Sequence, residues 1–518
     1  MGDSRPVSTG ESLRSRIGKV AAASAAALIF GEIISLVQTI ALARLLTPAE
    51  VGLFVAGSVL TSFVGNFVEG GLRSGLVQRK DDLDDAAATV FWATLGMGVV
   101  MSLVSLAAAP LIAAAFNNRT AGVVAAAMSG GVLLYALTNV PEALLQSQFS
   151  VRRRLIVGPA VGVSFAGVSV TLAALGYGVW SMVLGSYVSS LVWVVSLWCI
   201  CDWRPSHGRP SYRLWRELAR FGFPLVLGFI GDRVQKTVQS VVIGRVLGVQ
   251  GLGLQRYGER IARIPVMALV EVSSISLFPA FSRLASDRSR FQVAYLRALR
   301  LVVVAAAAAT AMIVAVGQPL VVIVLGEEWR GAGPALVAMA GLAVGKAVTT
   351  VGEEAIKGAG RTRLLNWYTL LETTLAIVLL VALIYPFGLI GVGLSISLTS
   401  LAVGVLVASL AGPVVGVSRR QTLAAIAPSV LCAVLAGAVA VPLEHLVFHS
   451  DTHGLWAGLG LVTLVGLIFL LVYALALKII APALFREISA LAFGLVRRVW
   501  LMRSTSLAAQ RADEEPPE

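Results

Sequence analysis

Apolar residues run through this chain in stretches of about twenty or more, broken by short polar segments rather than alternating with polar positions. A helix needs about 20 mostly apolar residues to cross hydrocarbon. In lipid the backbone amides of such a run must be satisfied within the run itself, which makes it a helix. Read between charged and Gly/Pro breaks, the pattern predicts fourteen spans at 20–43, 50–72, 87–115, 121–141, 155–176, 178–200, 221–246, 251–281, 298–325, 332–356, 364–386, 388–411, 422–442 and 454–477. The first run exceeds a signal-peptide core and is read as a retained helix. No polar stretch between the runs exceeds a few tens of residues, which excludes a soluble enzyme held by one anchor.

Composition sharpens this. Of the 518 residues, 57% are hydrophobic and 13% charged, against about half and about a quarter in an ordinary soluble domain. The fold class expected is an all-α, multi-pass integral membrane protein. The net charge of +13 would suggest nucleic acid in a soluble protein, but its placement says otherwise. The termini and even-numbered loops hold 31 of the 41 Lys and Arg residues, while the odd-numbered loops hold Arg44, Arg119, Arg245 and Arg330. That bias predicts both ends on the cytoplasmic side of an inner membrane. It also accounts for most of the charge, so no nucleic-acid partner is expected.

The chain repeats itself. Arg44 opens "RLLTPAEVGLF" and Arg245 opens "RVLGVQGLGLQ"; Glu142 opens "EALLQSQFSVRRRL" and Glu354 "EAIKGAGRTRLL"; Gly178 opens "GVWSMVLGSYVSS" and Gly388 "GLIGVGLSISLTS". The offsets of 201, 212 and 210 positions describe two halves of six helices each, and an even number makes the halves parallel. Parallel repeats are a mark of transporters whose site lies at the repeat interface. The expected organisation is a six-helix half at 1–200, a cytoplasmic linker at 201–220, a second half at 221–411, two extra helices within 412–477, and a tail at 478–518. In the tail, "ALFREISALAFGLVRRVWLM" suits an interfacial amphipathic helix and the final acidic residues suit disorder.

The seventh and eighth spans carry charge where it is expensive. Asp232, Arg233 and Lys236 lie in one, and Arg256, Glu259, Arg260, Arg263 and Glu271 in the other. Each central charge costs about 3 kcal/mol against lipid, so these groups are expected to face a protein- or water-lined interior. At about 100° per residue, Arg256, Arg260 and Arg263 fall within about 60° of one another on one helix face. Five bases meet three acids, and a surplus of cations at membrane depth suits an anionic group such as a diphosphate. The bland reading is helix docking through the pairs Asp232–Lys236 and Glu259–Arg263. Carboxylates at membrane depth also suit ion coupling; Asp232, Glu271 and Glu32 are the candidates, with Glu69 at a helix end. Lys346, Glu353, Glu354 and Lys357 are expected to pair along one helix, and Glu372 has no assigned role.

Other motifs are weak. Cys199, Cys201 and Cys432 read as free thiols, and Cys-x-Cys without further ligands is poor evidence for metal. His445, His449 and His453 have helical spacing but lie in a loop. "AGLAVGKAV" around Lys346 lacks the first glycine of a phosphate loop. No cofactor, metal, nucleotide site or catalytic triad is expected, and the chain is read as a non-enzyme.

The stretch from Leu42 to Lys80 resembles the first-loop and second-helix region of polysaccharide-type (Wzx-like) flippases, in the superfamily that also holds lipid II flippases and multidrug extruders. The match lies in the Arg44–Leu53 core, Glu69-Gly70-Gly71-Leu72 and Val77-Gln78-Arg79, with "GVW" at Gly178 and "RFGFPL" at Arg220. The resemblance implies two six-helix lobes in a V, alternating access, and movement of undecaprenyl-diphosphate-linked oligosaccharide from the cytoplasmic to the periplasmic leaflet. It also implies pathway partners such as a polymerase and glycosyltransferases. The cations of spans seven and eight would hold the diphosphate and an inward proton or sodium gradient would reset the carrier. The second half departs from the motif, with Gly248 and Val249 where Thr-Pro would fall. A lipid II flippase is the nearest alternative. A drug or cation antiporter would want an acidic cavity, and a membrane glycosyltransferase or polymerase larger outside loops.

Overall fold

The computed structural model describes residues 30–79, 81–148 and 153–491, and they are helical nearly throughout. The helices are α1 (30–45), α2 (Pro48–Glu69), α3 (Leu72–Gln78), α4 (Leu83–Ala115), α5 (Arg119–Met128), α6 (Gly130–Ser147), α7 (Gly158–Ala174), α8 (Val179–Ile200), α9 (Tyr212–Leu284), α10 (Arg288–Leu325), α11 (Ala332–Ala338), α12 (Gly341–Gly358), α13 (Arg363–Val415), α14 (Arg419–Pro442), α15 (Leu455–Ile480) and α16 (482–491). Among the described residues, eleven helices are long and apolar enough to cross a membrane. The chain is a multi-pass helical membrane protein.

The difference from the fourteen expected spans has a local cause. The first span begins outside the described residues. Spans seven and eight lie in α9, and spans eleven and twelve in α13, each pair being two helices that meet at a kink on one glycine with non-helical dihedrals: Gly248 (φ 72, ψ 177) and Gly388 (φ 55, ψ −129). Gly388 is paired with Gly178 in the sequence repeat, and Gly178 has φ 54 and ψ −132. The two positions share a backbone conformation that a side chain strongly disfavours.

The Arg44–Leu53 motif acquires a structural reason. Thr47 and Glu50 form a capping box: the Thr47 amide donates to Glu50 Oε2 at 2.8 Å and the Glu50 amide to Thr47 Oγ1 at 3.3 Å. Pro48 opens α2, where a missing N–H costs nothing. Gly248 occupies the position of Thr47 in the second half. There a positive-φ glycine turns the helix where the first half starts one with a cap.

The chain divides into two compact units. One comprises Met1–Tyr257, Val324–Ala332 and Leu380–Leu389, the other Gly258–Ile323, Gly333–Leu379 and Ile390–Glu518. In the first unit Leu76, Val90, Phe91, Leu144, Leu197 and Trp203 belong to one buried core, with Phe91 edge-on to Trp198 at 5.8 Å. In the second, α10, α12 and α13 bury Tyr295, Leu299, Val351 and Val407. The extra helices α14 and α15 pack on α10 through Ala311, Ala433, Ala436, Val465 and Phe469. Small residues let backbones approach closely where lipid offers no hydrophobic drive between helices.

Candidate functional site

The cations singled out in the sequence sit on α9. Arg233 and Lys236 are exposed on the arm before Gly248, in the first unit. Arg256 is exposed, Arg260 half-buried and Arg263 exposed on the arm after it. That arm is regular helix, so the narrow stripe expected for the three arginines holds. Glu259 takes Arg263 in a two-pronged ion pair, Nε to Oε1 at 2.6 Å, as the docking reading anticipated. The side chains of Asp232 and Glu271 lie outside the described residues, and Glu32 is exposed on α1.

Burial pushes the Cys201 thiol up, away from the thiolate a metal would need.

The second unit holds the acids and bases expected to pair. Lys357 donates to Glu354 at 2.9 Å and to Glu353 at 3.3 Å, and the Tyr368 hydroxyl also bonds Glu353. Lys346 reaches Glu372 on α13 at 2.7 Å, a partner 26 positions away that no spacing rule could find. At the edge of this unit, Arg297 pairs with Glu487 of α16, so the described part of the expected amphipathic segment is tied down by charge.

The first unit contains two arrangements that the sequence signals did not assemble. In one, Trp329 donates its indole N–H to Ala43 O at 2.8 Å and stacks on Tyr257 at 4.3 Å, while Arg44 Nε bonds Val324 O at 2.9 Å. In this knot Gly52 and Gly253 carry no side chain because the opposing backbones leave no room: a Cβ on Gly52 would lie 1.7 Å from Val249 O, and one on Gly253 1.9 Å from Pro48 O. In the other, Arg73 bonds Glu142 at 3.3 Å and Gln146 at 3.2 Å, and the Tyr135 hydroxyl donates to Glu69 at 3.2 Å. The helical spacing of Tyr135, Glu142 and Gln146 was the available clue.

The described residues form a polytopic, helical chain with cationic side chains on both arms of α9. A solved lipid II flippase, MurJ, in an inward closed conformation has a similar fold, aligning with TM-score 0.70 over 89% of this chain and 99% of that one, at 14% identity. An inward-facing multidrug transporter of the MATE family aligns at 0.61 over 74% of this chain and 94% of its own, at 16% identity. The chain belongs to the family described as "Polysaccharide biosynthesis protein", whose profile matches residues 41–334. Its relatives include the succinoglycan biosynthesis transport protein ExoT of Rhizobium meliloti, 28% identical over 64% of this chain and 67% of that one. The lipopolysaccharide biosynthesis protein WzxC of Escherichia coli is 25% identical over 61% of this chain and 64% of its own length. The match thus spans about two thirds of these relatives.

Proposed function

We propose that the chain moves a polyprenyl-diphosphate-linked oligosaccharide from the cytoplasmic to the periplasmic leaflet of a bacterial inner membrane by alternating access. The observation that carries this is the membership of a polysaccharide biosynthesis family by a chain with a surplus of cations on the two arms of α9. Fourteen crossings, two parallel six-helix halves with two extra helices, and cytoplasmic ends complete the proposal; the matched dihedrals at Gly178 and Gly388 support the repeat.

In this reading Arg233, Lys236, Arg260, Arg263 and Arg256 hold the diphosphate, replacing the water it leaves, while the polyprenyl tail stays in lipid. Charge-assisted bonds to phosphate are roughly twice as strong as neutral ones, and guanidinium groups match two phosphate oxygens at once. Arg263 enters the site with its Glu259 partner, so an arriving diphosphate competes with a carboxylate and binding stays reversible. An inward gradient of protons or sodium, sensed at Asp232, Glu271 or Glu32, resets the carrier. A polymerase and glycosyltransferases of the same pathway are its partners.

The test is reconstitution in vesicles with a lipid-linked oligosaccharide and a membrane-impermeant probe of the outer leaflet. Neutralising Arg260 and Arg263 together is expected to lower headgroup translocation by at least about tenfold, each charge-assisted bond being worth about 1.5–3 kcal/mol; unchanged translocation would refute the assignment. Lipid II, which also carries a diphosphate, is the alternative cargo, and the same assay run with each lipid separates the two.

A further inference from the structure

Asn139 is wholly buried on α6, and neither atom of its side-chain amide meets a hydrogen-bond partner among the described residues. Leaving a buried amide unmatched costs about 1–3 kcal/mol, so its presence calls for a reason. Packing does not supply one. In the sequence pairing of Glu142 with Glu354, position 139 falls on Val351 and position 135 on Ala347, both buried and apolar in α12.

The surroundings of Asn139 do supply one. Tyr135, Asn139, Glu142 and Gln146 lie within about 60° of each other around α6, and this face meets Glu69 at the end of α2 and Arg73 on α3. Arg73 is committed to Glu142 and Gln146. Glu69, half-buried, accepts one bond from the Tyr135 hydroxyl at 3.2 Å and makes no ion pair among the described residues. Tyr135 also lies within electrostatic reach of Arg73 and Glu142. The face therefore offers a carboxylate, a hydroxyl oxygen whose proton is turned toward that carboxylate, and an amide oxygen. Oxygen donors of this kind suit hard cations. One carboxylate without an ion-pair partner balances one positive charge, and burial makes that balance worth more than at the surface.

We propose that Glu69, Tyr135 and Asn139 form a binding site for a monovalent metal cation of the sodium type, with the Arg73–Glu142 pair as its neighbouring, internally neutralised wall. The site is separate from the cations of α9 and from the coupling candidates Glu32, Asp232 and Glu271. It does not depend on which lipid the chain carries.

The experiment uses the full chain in lipid nanodiscs, without any lipid-linked sugar, at constant ionic strength with choline as the replacement cation. Wild type is expected to bind radioactive sodium saturably at this site, and sodium is expected to raise its thermal midpoint by a few degrees, since a ligand of the folded state stabilises by mass action. Asn139→Val should lose at least tenfold in sodium affinity while its sodium-free midpoint stays level or rises, because the unmatched amide is gone. Glu69→Gln should lose binding as well. Sodium binding at wild-type affinity in both variants would overturn the site, as would no saturable binding in wild type, or a pH response without sodium selectivity. If Glu69→Gln does not fold, the valine variant decides alone.

Discussion

The knot around Gly52 makes the sharpest prediction, because the obstacle to a side chain there is backbone. A Cβ at Gly52 would stand 1.7 Å from Val249 O and 2.6 Å from its carbonyl carbon, while ordinary contact begins at 3.4 Å. In Gly52→Ala the segments at 48–53 and 249–253 must part by roughly 1.7 Å. Overpacking of this kind costs about 1–3 kcal/mol or more, and a rigid carbonyl puts the change at the high end. Tyr257, four residues beyond Gly253, stacks on Trp329, whose indole bond to Ala43 O is worth about 1 kcal/mol more if it stretches. A loss near 3 kcal/mol changes the population of the closed knot by about 100-fold. The assay is maleimide labelling of Ala43→Cys, a buried position, in a chain with Cys199, Cys201 and Cys432 replaced, together with the thermal midpoint. Gly52→Ala should speed labelling by at least about tenfold and lower the midpoint. Gly65→Ala is the control on the same helix: nothing lies within 4 Å of a Cβ there, so relief of glycine's entropy should leave it neutral or more stable by about 0.5–1 kcal/mol. Equal labelling in both variants would refute the reasoning.

Two further outcomes follow from ion pairs and caps. Lys346→Met should destabilise by about 1–3 kcal/mol because Glu372 loses its ion-pair partner, less than the full cost of breaking a buried pair since both groups are partly exposed. The double change Lys346→Met with Glu372→Met should recover most of that loss in thermal unfolding, and a double variant worse than the single would contradict it. Asp287, which caps α10, is held below its ordinary value of 3.8 first by the Arg290 backbone N–H and then by the Ser289 hydroxyl. A depressed carboxylate stabilises above its unfolded value and loses this as pH falls through the folded one. The midpoint gap between wild type and Asp287→Ala should therefore be constant at neutral pH and close below about pH 4; a gap that widens in acid would contradict the cap.

What the residues announce by themselves follows from short-range physics. Long apolar runs in a charge-poor chain are enough to predict a polytopic helical membrane protein, since lipid offers the backbone no other partner. The ends of α8 and α15 are legible to within a few residues for the same reason. The capping box of Thr47 and Glu50 and the pairing of Lys357 with Glu353 and Glu354 are local, set by spacings of three and four. The arginine stripe on α9 is equally local and needs only helical periodicity.

Other features wait for the chain to fold, because they join residues far apart in sequence. That two helices meet at Gly248 within α9, and two at Gly388 within α13, through a positive-φ glycine is a choice of dihedral that the apolar pattern does not record. Glu372 has no sequence signal for Lys346, Trp329 none for Ala43, and Gly52 none for the carbonyl that excludes its side chain. Asn139 reads as one more polar residue in an apolar helix until packing buries it, on the face of α6 from which Tyr135 reaches Glu69. Periodicity assigns each residue a face; only tertiary packing decides what that face meets, and whether a buried charge or amide is matched there.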